Sequence, residues 1–186
     1  DKVATVLPNC LEQLEAYWAV AKIGAVVVPF SILLRSKAMA ILLRDSDTNT
    51  IITNSTFVET INSIKPELPA IADDRYLLID AGDIPGYQDY HALKAVASDQ
   101  EPEGIEISKD DQFDIMYSSG TTGMPKGIVH THYIRAQYGQ CFAASYRMTP
   151  ESVTMHAGAI VFNGAFVDMM PTVYVGATYI LLPQFD

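Results

Sequence analysis

Short, uninterrupted apolar runs alternate with helix-like segments over the first 80 residues, and this alternation limits the folds open to the chain. The strand-like runs are residues 3–7, 25–29, 50–53 and 76–79. Helical spacing predicts helices over 10–23 and 36–44 and a third that follows residues 54–56 and ends near 64, and Asn9 is expected to cap the first of them. Strands that are apolar at every position are typical of parallel sheets covered by helices on both faces. The pattern therefore predicts an α/β fold with mainly parallel sheets.

The composition excludes several classes of protein. The chain has 186 residues, 49% of them hydrophobic and 18% charged, so a disordered chain is excluded. A net charge of −10 argues against a nucleic-acid-binding face, which needs clustered Lys and Arg. No apolar stretch is long enough to predict a transmembrane segment. Two distant cysteines, Cys10 and Cys141, predict neither a disulfide scaffold nor a metal site, and they fit a cytoplasmic location.

Strand-like and helix-like segments alternate again in the second half of the chain, after an acidic connector. Residues 98–111 are acidic, contain Pro and Gly, and predict a solvated connector. Beyond it we expect strands at 113–117, 128–130 and 177–182, and helices at 133–147 and 163–175. We therefore predict three regions: a first α/β subdomain over 1–97, a connector over 98–111, and a second α/β segment over 112–186.

One loop carries the strongest chemical signal. Residues 117–127 read Tyr-Ser-Ser-Gly-Thr-Thr-Gly-Met-Pro-Lys-Gly and follow a predicted strand. Glycines allow the backbone to approach a ligand closely, and successive backbone N–H groups can surround an anion. Hydroxyl groups donate hydrogen bonds to phosphate oxygens, and Lys126 adds a positive charge. The segment therefore predicts a polyphosphate-binding loop.

Other interpretations of this loop explain it less well. A Walker A loop has Lys directly after Gly and before Ser or Thr, whereas Lys126 follows Pro125 and precedes Gly127. The dinucleotide fingerprint G-x-G-x-x-G is absent from the sequence. A flexible linker rich in Gly, Ser and Thr does not explain the apolar strands around the loop or the Pro-Lys-Gly at its end.

The segment from Tyr117 to Gly127 resembles the phosphate-loop signature of the acyl-adenylate-forming superfamily, the AMP-binding enzymes. In order along the chain, that signature begins with an aromatic residue, then Thr or Ser, then Ser-Gly. It continues with Ser or Thr, then Thr-Gly, then any residue, and it ends with Pro-Lys-Gly. Further segments resemble the family in the same order, and they are residues 7–9, 19–29, 43–46 and 175–186. The last of these looks most like the acyl-CoA synthetase branch. The resemblance implies that the chain is part of the family's large N-terminal domain, and from its two ends we expect a fragment cut at both of them.

The resemblance implies a two-step reaction. A hydrophobic carboxylic acid is activated by ATP to acyl-AMP, and coenzyme A then forms the thioester. The implied partners are a small-molecule carboxylate, ATP with Mg²⁺, and coenzyme A. In the family this loop holds the β- and γ-phosphates. The matching positions are Ser118, Ser119, Gly120, Thr121, Thr122, Gly123 and Lys126. Thr122 and Lys126 are the predicted catalytic members.

His156 is the third predicted catalytic residue. It lies 30 residues after Lys126 and before a very apolar helix, where it resembles the family's aromatic or His site beside the carboxylate. The preceding residues 152–155 depart from the usual family pattern. By the same resemblance, Phe162, Asn163, Gly164 and Val167 border the acyl pocket with His156. Small Gly158 and Gly164 are expected to leave room for a bulky or elongated acid.

Several other side chains have simpler interpretations. His130 and His132 lack a Cys, Asp or Glu cluster that would complete a zinc site, so we predict no metal ligands in the protein. Asp168 is expected to be hydrogen-bonded or to lie at the edge of its helix. Tyr17 and Trp18 are expected to pack between a helix and the sheet.

Three alternatives remain open at the level of the sequence. One is a non-catalytic nucleotide-binding module, and another is an amino-acid-activating adenylation domain. A flavodoxin-like domain would explain residues 1–80 only. Because the family's ribose-binding Asp and adenylation Lys are not found in this chain, we expect these 186 residues alone to bind ATP poorly and to catalyse nothing. The sequence predicts neither the acid nor the oligomeric state.

Overall fold

A sheet of seven strands forms the centre of the chain in a computed structural model, which describes residues 1–80, 82, 84–118 and 125–183. Its strands are β1 (Lys2–Val6), β2 (Val26–Phe30), β3 (Thr50–Thr53), β4 (Tyr76–Leu78), β5 (Gln88–Asp89), β6 (Gln112–Ser118) and β7 (Lys126–Thr131). Their order is β5-β4-β3-β1-β2-β6-β7. All neighbours are parallel except β6 and β7, which are antiparallel. Two further strands, β8 (Val153–His156) and β9 (Thr178–Leu181), form a small parallel sheet.

Helices cover both faces of the large sheet. They are α1 (Leu11–Lys22), α2 (Ser36–Asp45), α3 (Val58–Ile64), α4 (Tyr90–Val96), α5 (His132–Tyr146) and α6 (Asn163–Val175). Three short 3₁₀ turns lie at Ser55–Phe57, Lys65–Glu67 and Asp73–Arg75. One buried cluster joins the sheet to α1 and α6, and a second joins its other face to α2 and α3. Successive residues of β2 alternate between the two clusters, which explains why the strand is apolar throughout.

The predicted α/β class with mainly parallel sheets is confirmed. The predicted strands and helices of both halves are present within one or two residues of their expected ends. Tyr17 and Trp18 pack as expected, since Tyr17 is fully buried against Phe166 and Trp18 lies edge-on to Phe113. The sequence analysis missed β5, α4 and β8.

The division of the sheets does not coincide with the acidic connector. Residues 98–111 contain neither helix nor strand and are exposed. The strand that follows them, β6, returns to the large sheet and pairs with β2, where Val27 lies opposite Asp114. The small sheet begins only at β8. The proposed domain limits at 97 and 112 therefore stay a prediction, but the central sheet extends across them.

Candidate functional site

Three adjoining cavities form a cleft at the carboxyl ends of β1, β2 and β6. The first, of about 230 Å³, lies between residues 7–9, residues 31–33 and residues 157–162. The second and third, of about 260 Å³ each, extend from it towards Tyr117 and Ser118. Phe162 borders all three, and most of the lining is apolar. Ligands of open α/β sheets bind at this edge, outside the carboxyl ends of the strands.

The predicted phosphate loop joins β6 to β7 at one end of this cleft. Ser118 and Lys126 pair across the two strands at the base of the loop, and both are exposed. Pro125, next to Lys126, and Ser118 border the second cavity. Five of the predicted phosphate-binding positions lie outside the described residues, and they are Ser119, Gly120, Thr121, Thr122 and Gly123.

The two strands that carry the loop approach each other closely beside Gly127. A Cβ atom at Gly127 would lie 2.9 Å from Cγ2 of Ile115, so any larger residue there would have to displace the Ile115 side chain. Opposite Gly127, Tyr117 stacks on Phe30 with ring centroids 5.6 Å apart. The Tyr117 hydroxyl donates to Oδ2 of Asp45 over 2.6 Å. Burial, together with this bond, raises the pKa of Tyr117 well above its usual value, so the hydroxyl stays a donor.

His156 ends β8 and is anchored to α6. Its Nδ1 atom lies 3.1 Å from Oδ2 of Asp168, so the expectation that Asp168 is hydrogen-bonded agrees with the structure. The ring occupies the space beside both predicted glycines. A Cβ at Gly158 would lie 3.0 Å from Nε2 of His156, and one at Gly164 would lie 4.0 Å from its Cε1. The Cβ directions at both glycines therefore lead towards His156, while Gly158 also lines the first cavity.

The predicted acyl-pocket residues divide into two groups. Phe162 and Asn163 border the same cavity as Ser118, so part of the predicted pocket and part of the predicted phosphate site meet in the cleft. Among the described residues, His156, Gly164 and Val167 border none of the three cavities. His156 is adjacent in sequence to Ala157, which lines the first cavity.

Asn9 does not cap α1, contrary to the sequence prediction. The N-cap residue is Cys10, which makes no capping bond with its side chain. Instead, Nδ2 of Asn9 donates to the carbonyl oxygens of Gly158 and Leu182, and its Oδ1 accepts from N–H of Ile160, each over 2.9 Å. In this position Asn9 satisfies three backbone groups at once, and one of them belongs to Gly158, which lines the first cavity.

We expect Asn9→Asp to lower the free energy of unfolding by about 1–3 kcal/mol. The carboxylate keeps the acceptor for Ile160 but loses both donors and faces two carbonyl oxygens. Urea unfolding followed by circular dichroism measures the loss. Asn62→Asp is the matched control, because Oδ1 of Asn62 only accepts a bond from the Tyr87 hydroxyl. Equal stability of the two variants would contradict the role given to Asn9.

Sequence reasoning also missed a buried charged cluster behind the cleft. Asp114 in β6 is fully buried and pairs with Arg135 of α5, which is buried as well. Nδ1 of His130 lies 2.7 Å from Oδ1 of Asp114, so this His has a structural partner. A lone Asp inside an apolar strand was the available signal, because a buried carboxylate requires a partner. Among the described residues, no three His, Cys, Asp or Glu side chains converge as a metal site requires.

Comparisons with known proteins place the chain in one family. The family model described as "AMP-binding enzyme" matches residues 1–186. The chain is 30% identical over 188 residues to the long-chain-fatty-acid–CoA ligase FadD13 of Mycobacterium tuberculosis, covering 100% of this chain and 35% of that protein. It is 30% identical over 191 residues to the crotonobetaine/carnitine–CoA ligase of Salmonella arizonae, covering 100% of this chain and 36% of that protein.

Solved structures agree with these relatives. The anthranilate CoA ligase AuaEII, solved in complex with anthranoyl-AMP, superposes with a TM-score of 0.92 at 25% identity, over 99% of this chain and 35% of that chain. The chain thus spans about a third of the length of the curated relatives it matches. In the described residues, no helix is both long enough and apolar enough to traverse a lipid bilayer. On the match along its whole length, the chain belongs to the AMP-binding enzyme family.

Proposed function

We propose that the protein containing this chain activates a hydrophobic carboxylic acid with ATP and transfers the acyl group to coenzyme A. The observation that carries the proposal is the continuity between the base of the predicted phosphate loop and a mostly apolar cleft. Ser118 borders two of the cavities that Phe162 also borders. A triphosphate held by the loop would therefore lie next to an apolar chain or ring held in the cleft.

The proposed first step is attack of a carboxylate oxygen on the α-phosphorus of ATP. The bond from that phosphorus to the bridging oxygen of the β-phosphate breaks, giving acyl-AMP and pyrophosphate. Hydroxyl groups and backbone N–H groups of the loop, with the Lys126 ammonium, would neutralise charge on the departing pyrophosphate. Mg²⁺ would enter as part of the nucleotide substrate, since hard cations prefer phosphate and water oxygens.

The proposed second step uses the acyl-AMP as an activated acyl donor. The thiol of coenzyme A loses its proton to solvent and its sulfur bonds to the acyl carbon, while the bond from that carbon to the phosphate oxygen breaks and AMP leaves. Relatives that are CoA ligases for fatty, aryl and carnitine-type acids support this thioester step. His156, fixed by Asp168 at the end of β8, is proposed to orient the acid near the α-phosphate.

The proposed location is the cytoplasm. Among the described residues both cysteines are free thiols, as in a reducing compartment. Burial raises the pKa of the Cys10 thiol to about 11, so this thiol is a poor nucleophile.

The reaction is tested with the complete polypeptide that contains this chain. We expect ATP–pyrophosphate exchange that depends on an added acid, with decanoate, benzoate and phenylalanine as probes, and AMP release when coenzyme A is supplied. Exchange with phenylalanine alone would instead support an amino-acid-activating domain. Tight ATP binding without exchange for any acid would support a non-catalytic nucleotide-binding module.

Gly164→Leu tests the assignment of the acyl pocket. The new side chain begins 4.0 Å from Cε1 of His156 and adds bulk beside the ring that Asp168 holds. We expect kcat/KM for decanoate to fall about 10-fold relative to butyrate, the size of effect that altered pocket packing gives. Gly82→Leu is the control, because no atom of the described residues lies within 4 Å of a Cβ there. An unchanged substrate range would remove Gly164 from the pocket.

A further inference from the structure

The buried charges behind the cleft connect two elements, β6 and α5, to the start of α6. The guanidinium of Arg135 contacts both carboxylate oxygens of Asp114, with Nη2 2.9 Å from Oδ1. The same guanidinium also contacts α6, where its Nη1 donates to Oδ1 of Asn163 over 2.8 Å. It also lies over the ring of Phe166, 3.9 Å from the centroid. One buried cation thus joins β6 and α5 to the residue with which α6 begins.

The contact determines which way the Asn163 amide faces. A guanidinium has only donors, so the amide oxygen must point towards Arg135 and the amide nitrogen away from it. The nitrogen then lies 3.3 Å from the Tyr138 hydroxyl. A rotated amide would bring two sets of donors together in a buried place. The orientation of Asn163 is therefore set by a charge that does not itself border the cleft.

Stability alone gives little reason for burying these charges. Removing two charges from water is costly, and well-packed apolar side chains in place of a buried ion pair are often equally stable or more stable. Asn163 and its neighbour Phe162 border the cleft, and α6 begins without a side-chain cap. The contact from Arg135 thus holds α6 at the residue where this helix reaches the cleft.

We propose that Arg135, oriented by Asp114, is a positioning residue that holds Asn163 and Phe162 in place at the wall of the acyl cleft. The inference rests on the proposed function of that cleft. Arg135 is buried and borders none of the three cavities, so it acts through Asn163. Its expected effect is on the affinity for the carboxylic acid and not on that for ATP.

The test uses Asp114→Leu/Arg135→Met in the complete polypeptide. This double variant removes both charges without leaving one of them buried and unpaired. In ATP–pyrophosphate exchange with decanoate or benzoate, we expect KM for the acid to rise about 10-fold while KM for ATP changes less than twofold. Arg44→Met is the matched control, because it breaks the exposed pair with Glu67, and both KM values should keep their original size.

A double-mutant cycle shows whether the effect passes through Asn163. In an Asn163→Ala background, the double variant should raise KM for the acid less than twofold further, because the positioned group is already absent. A full 10-fold effect in that background, or unchanged KM in the original one, would overturn the proposal.

A crystal structure of the double variant separates this inference from the proposed function. We expect the Asn163 side chain to rotate and Phe162 to move with it, whether or not exchange activity is found. If Asn163 and Phe162 keep their places in that structure, Arg135 does not position them. If the wild-type protein shows no exchange with any acid, the proposed function fails, and the crystal structure alone decides the positioning role.

Discussion

Replacing Thr122 and Lys126 together by alanine will lower acid-dependent ATP–pyrophosphate exchange of the complete polypeptide by about 10³-fold. If the loop binds the phosphates as proposed, the change removes a hydroxyl donor and a cation from the place where negative charge develops on pyrophosphate. Loss of one such preorganised donor typically costs about 10²–10³ in rate. The KM for ATP should rise as well, because the same groups would contact its phosphates before the reaction. Rates measured across a range of ATP concentrations separate the two effects.

The matched control removes the same two side-chain types elsewhere. Thr56 is exposed, and Lys22 is an exposed lysine that pairs with Glu101 over 2.7 Å. Thr56→Ala/Lys22→Ala should leave exchange unchanged, since surface ion pairs contribute little. Wild-type exchange in the Thr122/Lys126 variant would mean that the loop does not hold the phosphates.

The Arg135→Met single substitution will lower the free energy of unfolding by about 3–5 kcal/mol. It leaves Asp114, which is fully buried, without its bidentate partner, and breaking a buried pair from one side carries a penalty of that size. Asp114→Leu/Arg135→Met should recover a large part of the loss, because no unpaired charge remains. Urea unfolding of the variants and the wild type gives the comparison.

Arg44→Met provides the reference for an exposed ion pair. Nη1 of Arg44 lies 2.8 Å from Oε2 of Glu67 at the surface, and its loss should change the free energy of unfolding by less than about 1 kcal/mol. A loss for Arg135→Met no larger than this would show that water or His130 already compensates Asp114.

The apolar runs of the first 80 residues predicted the fold well, because strands buried on both faces are mostly apolar. The buried exceptions in β1 and β3 are the threonines Thr5, Thr50 and Thr53. The small sheet illustrates the opposite case. In β8 the exposed positions are Val153 and Met155, while the partly buried ones are Thr154 and His156. The polar residues of this strand are the less exposed ones, because His156 pairs with Asp168 and Thr154 pairs with Thr172. A rule that places apolar residues inside therefore could not find this strand.

The sequence indicates a candidate site only where one segment carries the signal, and that assignment stays a prediction. The loop at 117–127 is such a segment, whereas the cleft is assembled from residues far apart in the chain. No local pattern relates Asp114 to Arg135 or Asn9 to Gly158, because these contacts depend on how the strands are ordered in the sheet. The side chains that arrange the cleft were missed for this reason.

The three bonds of Asn9 also bear on the order of folding events. They join positions separated by 149, 151 and 173 residues, among the most distant contacts available to this polypeptide. Contacts between residues so far apart in sequence form slowly, because closing the long loop between them costs conformational entropy before the contacts can stabilise it. The core of the sheet can form first from segments that are close in sequence, and the three Asn9 bonds can form afterwards. Changes at Asn9 should then accelerate unfolding more than they retard refolding.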